Sequence, residues 1–114
     1  MAKVKYVMLL PLNYNDGTTV PKRIRKQIEE EIYVLAGGYY LGAIGKGAYR
    51  MKSGKKQIDL TQEVWIVIDK EDEKALKALA CKFAALLGQE AIYLERTSGK
   101  PEFIPPSETG GLFQ

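Results

Sequence analysis

The chain has 114 residues, of which 46% are hydrophobic and 10% aromatic, enough for one domain with a packable core. A single cysteine and no histidine exclude an internal disulfide framework, His-based dyads and triads, and an ordinary zinc site. The net charge of +3 conceals two basic clusters, one of Lys22, Arg23, Arg25 and Lys26 and one of Lys46, Arg50, Lys52, Lys55 and Lys56, so the remainder is net acidic. A carboxylate-held Mg²⁺ stays open, although no metal or other cofactor is expected. No apolar run reaches the ~18 residues of a membrane span, and no cationic start feeds a signal-peptide h-region. With the lone cysteine, this predicts a cytoplasmic protein.

In chain order, Lys3 to Leu12 is apolar and β-prone and reads as a buried strand. Asn13 to Thr18 is a loop of turn formers. Pro21 suits a first helical turn with a threonine nearby to cap, and Ile24, Ile28, Ile32 and Leu35 recur at helical spacing up to the stop at Gly37-Gly38. Tyr39 to Met51 carries Gly42, Gly45 and Gly47, which in a strand point to bulges or to close approach of a ligand or backbone. A turn over 52–56 joins it to Gln57–Ile68, whose Val64-Trp65-Ile66-Val67-Ile68 end is apolar on both faces, as in a central strand. Asp69 is placed to cap a second helix, with Leu76, Leu79, Ala80, Phe83, Leu86 and Leu87 on its buried face and Gly88 at its end. Ala91 to Glu95 is a short last strand.

The order β-α-β-β-α-β predicts an α+β ferredoxin-like domain over 1–97, a four-stranded antiparallel sheet with two helices on one face. A Pro/Gly-rich C-terminal tail follows over 98–114. Tyr39, Leu41, Ile44, Tyr49 and Trp65 are assigned to the open sheet face, which is too apolar to stay wet and so points to an oligomer.

Few residues offer chemistry. The glycines of Gly42-Ala43-Ile44-Gly45-Lys46-Gly47 match neither the P-loop spacing nor the dinucleotide fingerprint, and strand bulges account for them better. Cys81, with no histidine to activate it, reads as a small buried hydrophobe. Ser53, Ser98 and Ser107 lie in turns or the tail without a base. Gln89-Glu90 follows a helix-ending glycine and opens a strand, where it can hold a polar ligand or be a solvated strand start; in a strand the two side chains face opposite ways. Glu63 stands directly before the most apolar segment. With Tyr49 and Gln89 it makes an aromatic, an anion and an amide, a set that suits a cationic ligand carrying a base or ribose. The basic clusters suit phosphate or nucleic acid, or simply keep a helix start and a hairpin soluble.

Gly47-Ala48-Tyr49-Arg50, Glu63 opening a strand, Leu79-Ala80-Cys81, and Gln89-Glu90 before Ala91-Ile92-Tyr93 together resemble the phage-encoded S-adenosylmethionine lyases, long called hydrolases. The resemblance covers residues 38 to 95. It implies a ferredoxin-like fold akin to nitrogen-regulatory signalling proteins, a trimer, and a site between subunits. The implied reaction splits S-adenosylmethionine into methylthioadenosine and homoserine lactone, the substrate's own carboxylate displacing the thioether. By carry-over Glu63 and Gln89 are the catalytic residues, while Tyr49, Arg50 and Glu90 bind substrate. The hairpin between Tyr49 and Glu63 is longer and more basic than the family's, and one residue of slip turns Glu63 to the opposite face.

Two other readings stand beside this one. A non-catalytic oligomeric ferredoxin-like module would bind a nucleotide-like molecule or a protein partner at the same interface. A nucleic-acid binder would use the basic hairpin and the Lys22–Lys26 cluster, with salt-sensitive affinity; it ranks last because the acidic remainder repels a polyanion.

Overall fold

A computed structural model describes residues 2–106. The elements are β1 (Lys3–Pro11), α1 (Lys22–Ala36), β2 (Tyr40–Arg50), β3 (Lys56–Asp69), a 3₁₀ turn (Lys70–Asp72), α2 (Glu73–Leu86) and β4 (Tyr93–Arg96). All strand pairs are antiparallel, in the order β2-β3-β1-β4, so the chain has the ferredoxin-like α+β fold. Among the described residues no helix is long and apolar enough to cross a membrane.

Period-two patterning builds the core. Val4, Tyr6, Met8 and Leu10 of β1 lie opposite Ile68, Ile66, Val64 and Gln62 of β3, and all but Gln62 are buried against the helices. Ile24, Ile28 and Ile32 supply the stripe of α1; Leu76, Ala80 and Phe83 supply that of α2. Gly37 takes φ +79 and donates its N–H to the Tyr33 carbonyl, closing α1 with a left-handed residue.

A clasp fixes α2 against the sheet. The buried Tyr6 hydroxyl donates to Glu73 Oε2, and Arg96 Nη1 of β4 stands 3.4 Å from the same oxygen. Burial, then the bond to Glu73, raises the Tyr6 hydroxyl pKa; that bond, with the Arg96 charge, lowers the Glu73 carboxyl.

Five local expectations are corrected. Pro21 occupies the N-cap position of α1, and no side chain caps that helix. Asp69 spends its carboxylate on Lys3, 2.8 Å away and directly opposite it, and the 3₁₀ turn comes between Asp69 and α2. Cys81 is exposed, because it lies about 100° round α2 from the inward-facing Ala80. The last strand begins at Tyr93, so Gln89 and Glu90 precede it.

The fifth correction concerns the open face. Leu41 pairs with Val64 but Ile44 pairs with Gln62, so β2 carries one extra residue at Gly42–Ala43. A side chain on Gly42 would meet Glu63 Cβ and Oε1 at 3.2 Å, hence the glycine at the bulge. Leu41 and Ile44 therefore share the helix side of the sheet, and Tyr39 donates its hydroxyl to Glu29 of α1. The open face keeps Trp65 and Tyr49, as expected, and adds Tyr40, opposite or beside Val7, Leu9 and Gln57. The tail expectation is described only to Pro106, where Pro101, Glu102 and Phe103 line a cleft beside Trp65; residues 107–114 lie outside the described residues.

A carboxyl held below its ordinary pKa of 4.5 stabilises the fold above that pH, and the contribution disappears as pH falls through the folded value. Urea midpoints of the wild type and Glu73→Gln should therefore differ most near neutrality and converge below pH 4.5. A gap that stays constant into acid would show that the Glu73 charge plays no part.

Candidate functional site

A ladder that stops on one side only opens a polar-lined cavity. Along β1, odd residues face β4, as the Thr97 N–H to Lys5 carbonyl bond shows. Even residues face β3, as the Leu12 N–H to Leu60 carbonyl bond shows. Pro11 is an odd residue without an N–H, and pairing with β4 ends at Leu9 opposite Tyr93. The β3 ladder runs on past it. Segment 89–92 is thus left with no strand beside it, and a slot roughly two strand spacings wide, about 10 Å, separates it from the β2–β3 hairpin.

The slot is a pocket of about 490 Å³. Leu9 and Pro11 line its β1 side, Tyr49, Arg50 and Gln57 the hairpin side, and Gln89, Glu90 and Tyr93 the other. Gly88, φ +63, turns the chain out of α2 and sends Gln89 and Glu90 into the slot together. Asn15 holds this turn, donating to the Gly88 carbonyl at 3.0 Å and accepting from Gln89 Nε2 at 3.1 Å. Gln89 Nε2 also reaches the Leu87 carbonyl, so the amide oxygen is the atom it has left for a ligand. Across the slot, the Lys52 N–H donates to Glu90 Oε1 at 3.2 Å and pins the hairpin tip to the opposite wall.

Tyr49 lies back along its own strand. A Cβ on Gly47 would stand 3.3 Å from the Tyr49 hydroxyl, and Gly47 is directly opposite Asp59. Burial, then the negative charge of Asp59, raises the Tyr49 pKa and keeps the phenol protonated. Asp59 is 1% exposed. Its Oδ1 accepts from Gln57 Nε2 at 3.0 Å and Asn13 Nδ2 at 3.3 Å, while its buried Oδ2 has no partner.

Four of the five residues singled out in the sequence, Tyr49, Arg50, Gln89 and Glu90, thus line one pocket. Glu63 lies outside it. It is six residues along β3 from Gln57, about 20 Å in an extended strand. Its Oε1 accepts from Trp65 Nε1, within a cluster where Trp65 packs on Tyr40 at 4.9 Å and carries Lys5 Nζ 3.8 Å above its ring. Sequence reasoning missed Asp59, Gln57, Asn15 and Pro11. The signal for Asp59 was the alternation Gln57-Ile58-Asp59-Leu60-Thr61, ordinarily read as polar side out; here Asp59 and Thr61 are buried, and Ile58 and Leu60 are 47% and 50% exposed. Among the described residues no group of His, Cys, Asp or Glu is placed to hold a metal ion.

No protein-family model and no curated protein sequence matches the chain. Among solved structures, a phage SAM lyase in complex with S-methyl-5′-thioadenosine superposes with a TM-score of 0.67. The match covers 84% of this chain and 81% of that one at 18% sequence identity, and it establishes a shared fold.

The Lys52–Glu90 bond holds the two walls of the slot together. Glu90→Ala should therefore speed amide exchange at Lys52 while the Val64 amide in the core stays protected. Unchanged exchange at Lys52 would mean that the hairpin tip is held by its own turn.

Proposed function

We propose that this chain is an S-adenosylmethionine lyase-like enzyme, forming methylthioadenosine and homoserine lactone in the slot between the hairpin and segment 89–92. One observation carries the reading: Tyr49, Arg50, Gln89 and Glu90, distant in sequence, line a single pocket in a fold shared with a lyase solved with methylthioadenosine bound. The volume, about 490 Å³, suits a ligand of that size.

The reaction is an internal displacement. A carboxylate oxygen of the substrate attacks its own γ-carbon, the carbon–sulfur bond breaks, and the electron pair goes to sulfur. No proton is transferred, so the protein has only to hold nucleophile, carbon and sulfonium in line. Arg50 at the rim meets the substrate carboxylate, and the Tyr49 ring packs against the cationic end. The Gln89 amide oxygen and the Glu90 carboxylate orient the substrate's donor groups.

In the same reading the exposed Tyr40, Trp65 and Tyr93 of the open face are covered by neighbouring copies in a trimer. Glu63, on that face beside Trp65, then completes the pocket of the next subunit. The protein acts in the cytoplasm, without cofactor, and the domain over 1–97 carries the activity.

Incubation with S-adenosylmethionine should yield methylthioadenosine above the spontaneous background on chromatography, and Gln89→Ala should lower the yield by about 100-fold or more, as loss of substrate alignment does. Glu63→Gln should be equally impaired. Co-assembly of the two variants should restore part of the turnover, since mixed interfaces regain one intact site. A wild-type protein that forms no product overturns the lyase reading; two inactive variants that fail to complement overturn the shared site.

A further inference from the structure

Asp59 is the most costly group in the molecule to explain by folding alone. It is a carboxylate at 1% exposure, next to the candidate pocket, with one oxygen bonded twice and the other bonded to nothing. An unpartnered buried carboxylate oxygen is destabilising, and an asparagine would fill the same space without the charge. Among the described residues no cation forms an ion pair with it: its two partners, Asn13 and Gln57, are neutral amides.

The surroundings leave room for a positive ligand group. Gly45 and Gly47 lie opposite Thr61 and Asp59, so the strand beside the carboxylate carries no side chain on that face at these two positions. Over Gly45 a Cβ would meet nothing within 4 Å. Over Gly47 the three nearest atoms all belong to Tyr49, the hydroxyl and two ring carbons of a side chain that itself lines the pocket. Tyr49 thus lies between this strip, with Asp59 behind it, and the 490 Å³ cavity that its own side chain lines.

Resting on the lyase reading and naming what that site discriminates, we infer that Asp59 is the buried anion that receives the sulfonium end of the substrate and selects it over neutral thioethers. Tyr49 is the cover that moves aside for it. The same charge favours release once the reaction has turned the sulfonium into a thioether, because the product no longer offsets the buried carboxylate.

Two ligands that are not turned over separate the charge from the rest of the molecule. S-adenosylhomocysteine is neutral at sulfur, and sinefungin carries an ammonium where the sulfonium stands. By calorimetry the wild type should bind sinefungin more tightly, and Asp59→Asn should weaken sinefungin about tenfold or more while leaving S-adenosylhomocysteine within about twofold. Equal losses for both ligands, or no loss for either, overturn the role of Asp59 while wild-type turnover of S-adenosylmethionine upholds the lyase reading. A wild type that binds the neutral ligand at least as tightly as the cationic one overturns it without recourse to the variant. Charge-selective binding without turnover by the wild type overturns the lyase reading and upholds Asp59; a wild type that binds neither ligand overturns both.

Discussion

The architecture of the pocket depends on one absent hydrogen-bond donor. Strand residues alternate in the neighbour they serve as well as in the face they present, so a proline at an odd position of β1 ends the ladder to β4 and leaves the ladder to β3 intact. At an even position the same loss would have fallen on the ladder to β3. Because only the β4 side is released, segment 89–92 is free to carry Gln89 and Glu90 inward while β3 extends as a rigid arm. Asn15 and the Lys52–Glu90 bond then restore the cross-connections that β1 no longer supplies.

The hairpin reverses the usual economy of a half-buried strand. Ile58 and Leu60 face water on the helix side, beyond the reach of α1 and α2, while Asp59 and Thr61 are buried on the other. Each half-exposed aliphatic forgoes about 1 kcal/mol of burial, and the buried carboxylate adds a cost of its own. A hairpin selected only for the stability of this domain would carry the opposite pattern. Its polar side follows the pocket.

This reversal also marks where sequence stops being sufficient. The strands, both helices and the ferredoxin-like arrangement were legible because β1, β3, α1 and α2 each bury a face whose period matches their geometry. Gly37 and Gly88 could be placed as helix ends for equally local reasons. Tyr49, Arg50, Gln89 and Glu90 were legible as polar or aromatic residues at element ends. What failed was non-local. The extra residue at Gly42–Ala43 moved Leu41 and Ile44 to the helix side, and nothing in the composition of β2 says which of its three glycines is the bulge. Asp59 looked like solvent-facing alternation because its burial comes from Asn13, Gln57 and Tyr49, residues brought together by the turn after Pro11 and by the β2–β3 register.

A chain with no histidine is a poor place for general acid–base chemistry near neutral pH, and the pocket reflects it. Its two phenols are held protonated, Tyr49 by burial and the negative charge of Asp59 and Tyr93 by its bond to Glu95, and its amides cannot exchange a proton. What such a lining does well is fix a polar ligand's orientation and stabilise or reject charge at chosen points. An internal displacement, in which nucleophile and leaving group belong to one molecule and no proton moves, asks for those two things alone. The correspondence runs from residue type to reaction type: a buried anion, an aromatic side chain and a polar wall are poor tools for proton shuttling, and they suit the orientation of a flexible cation.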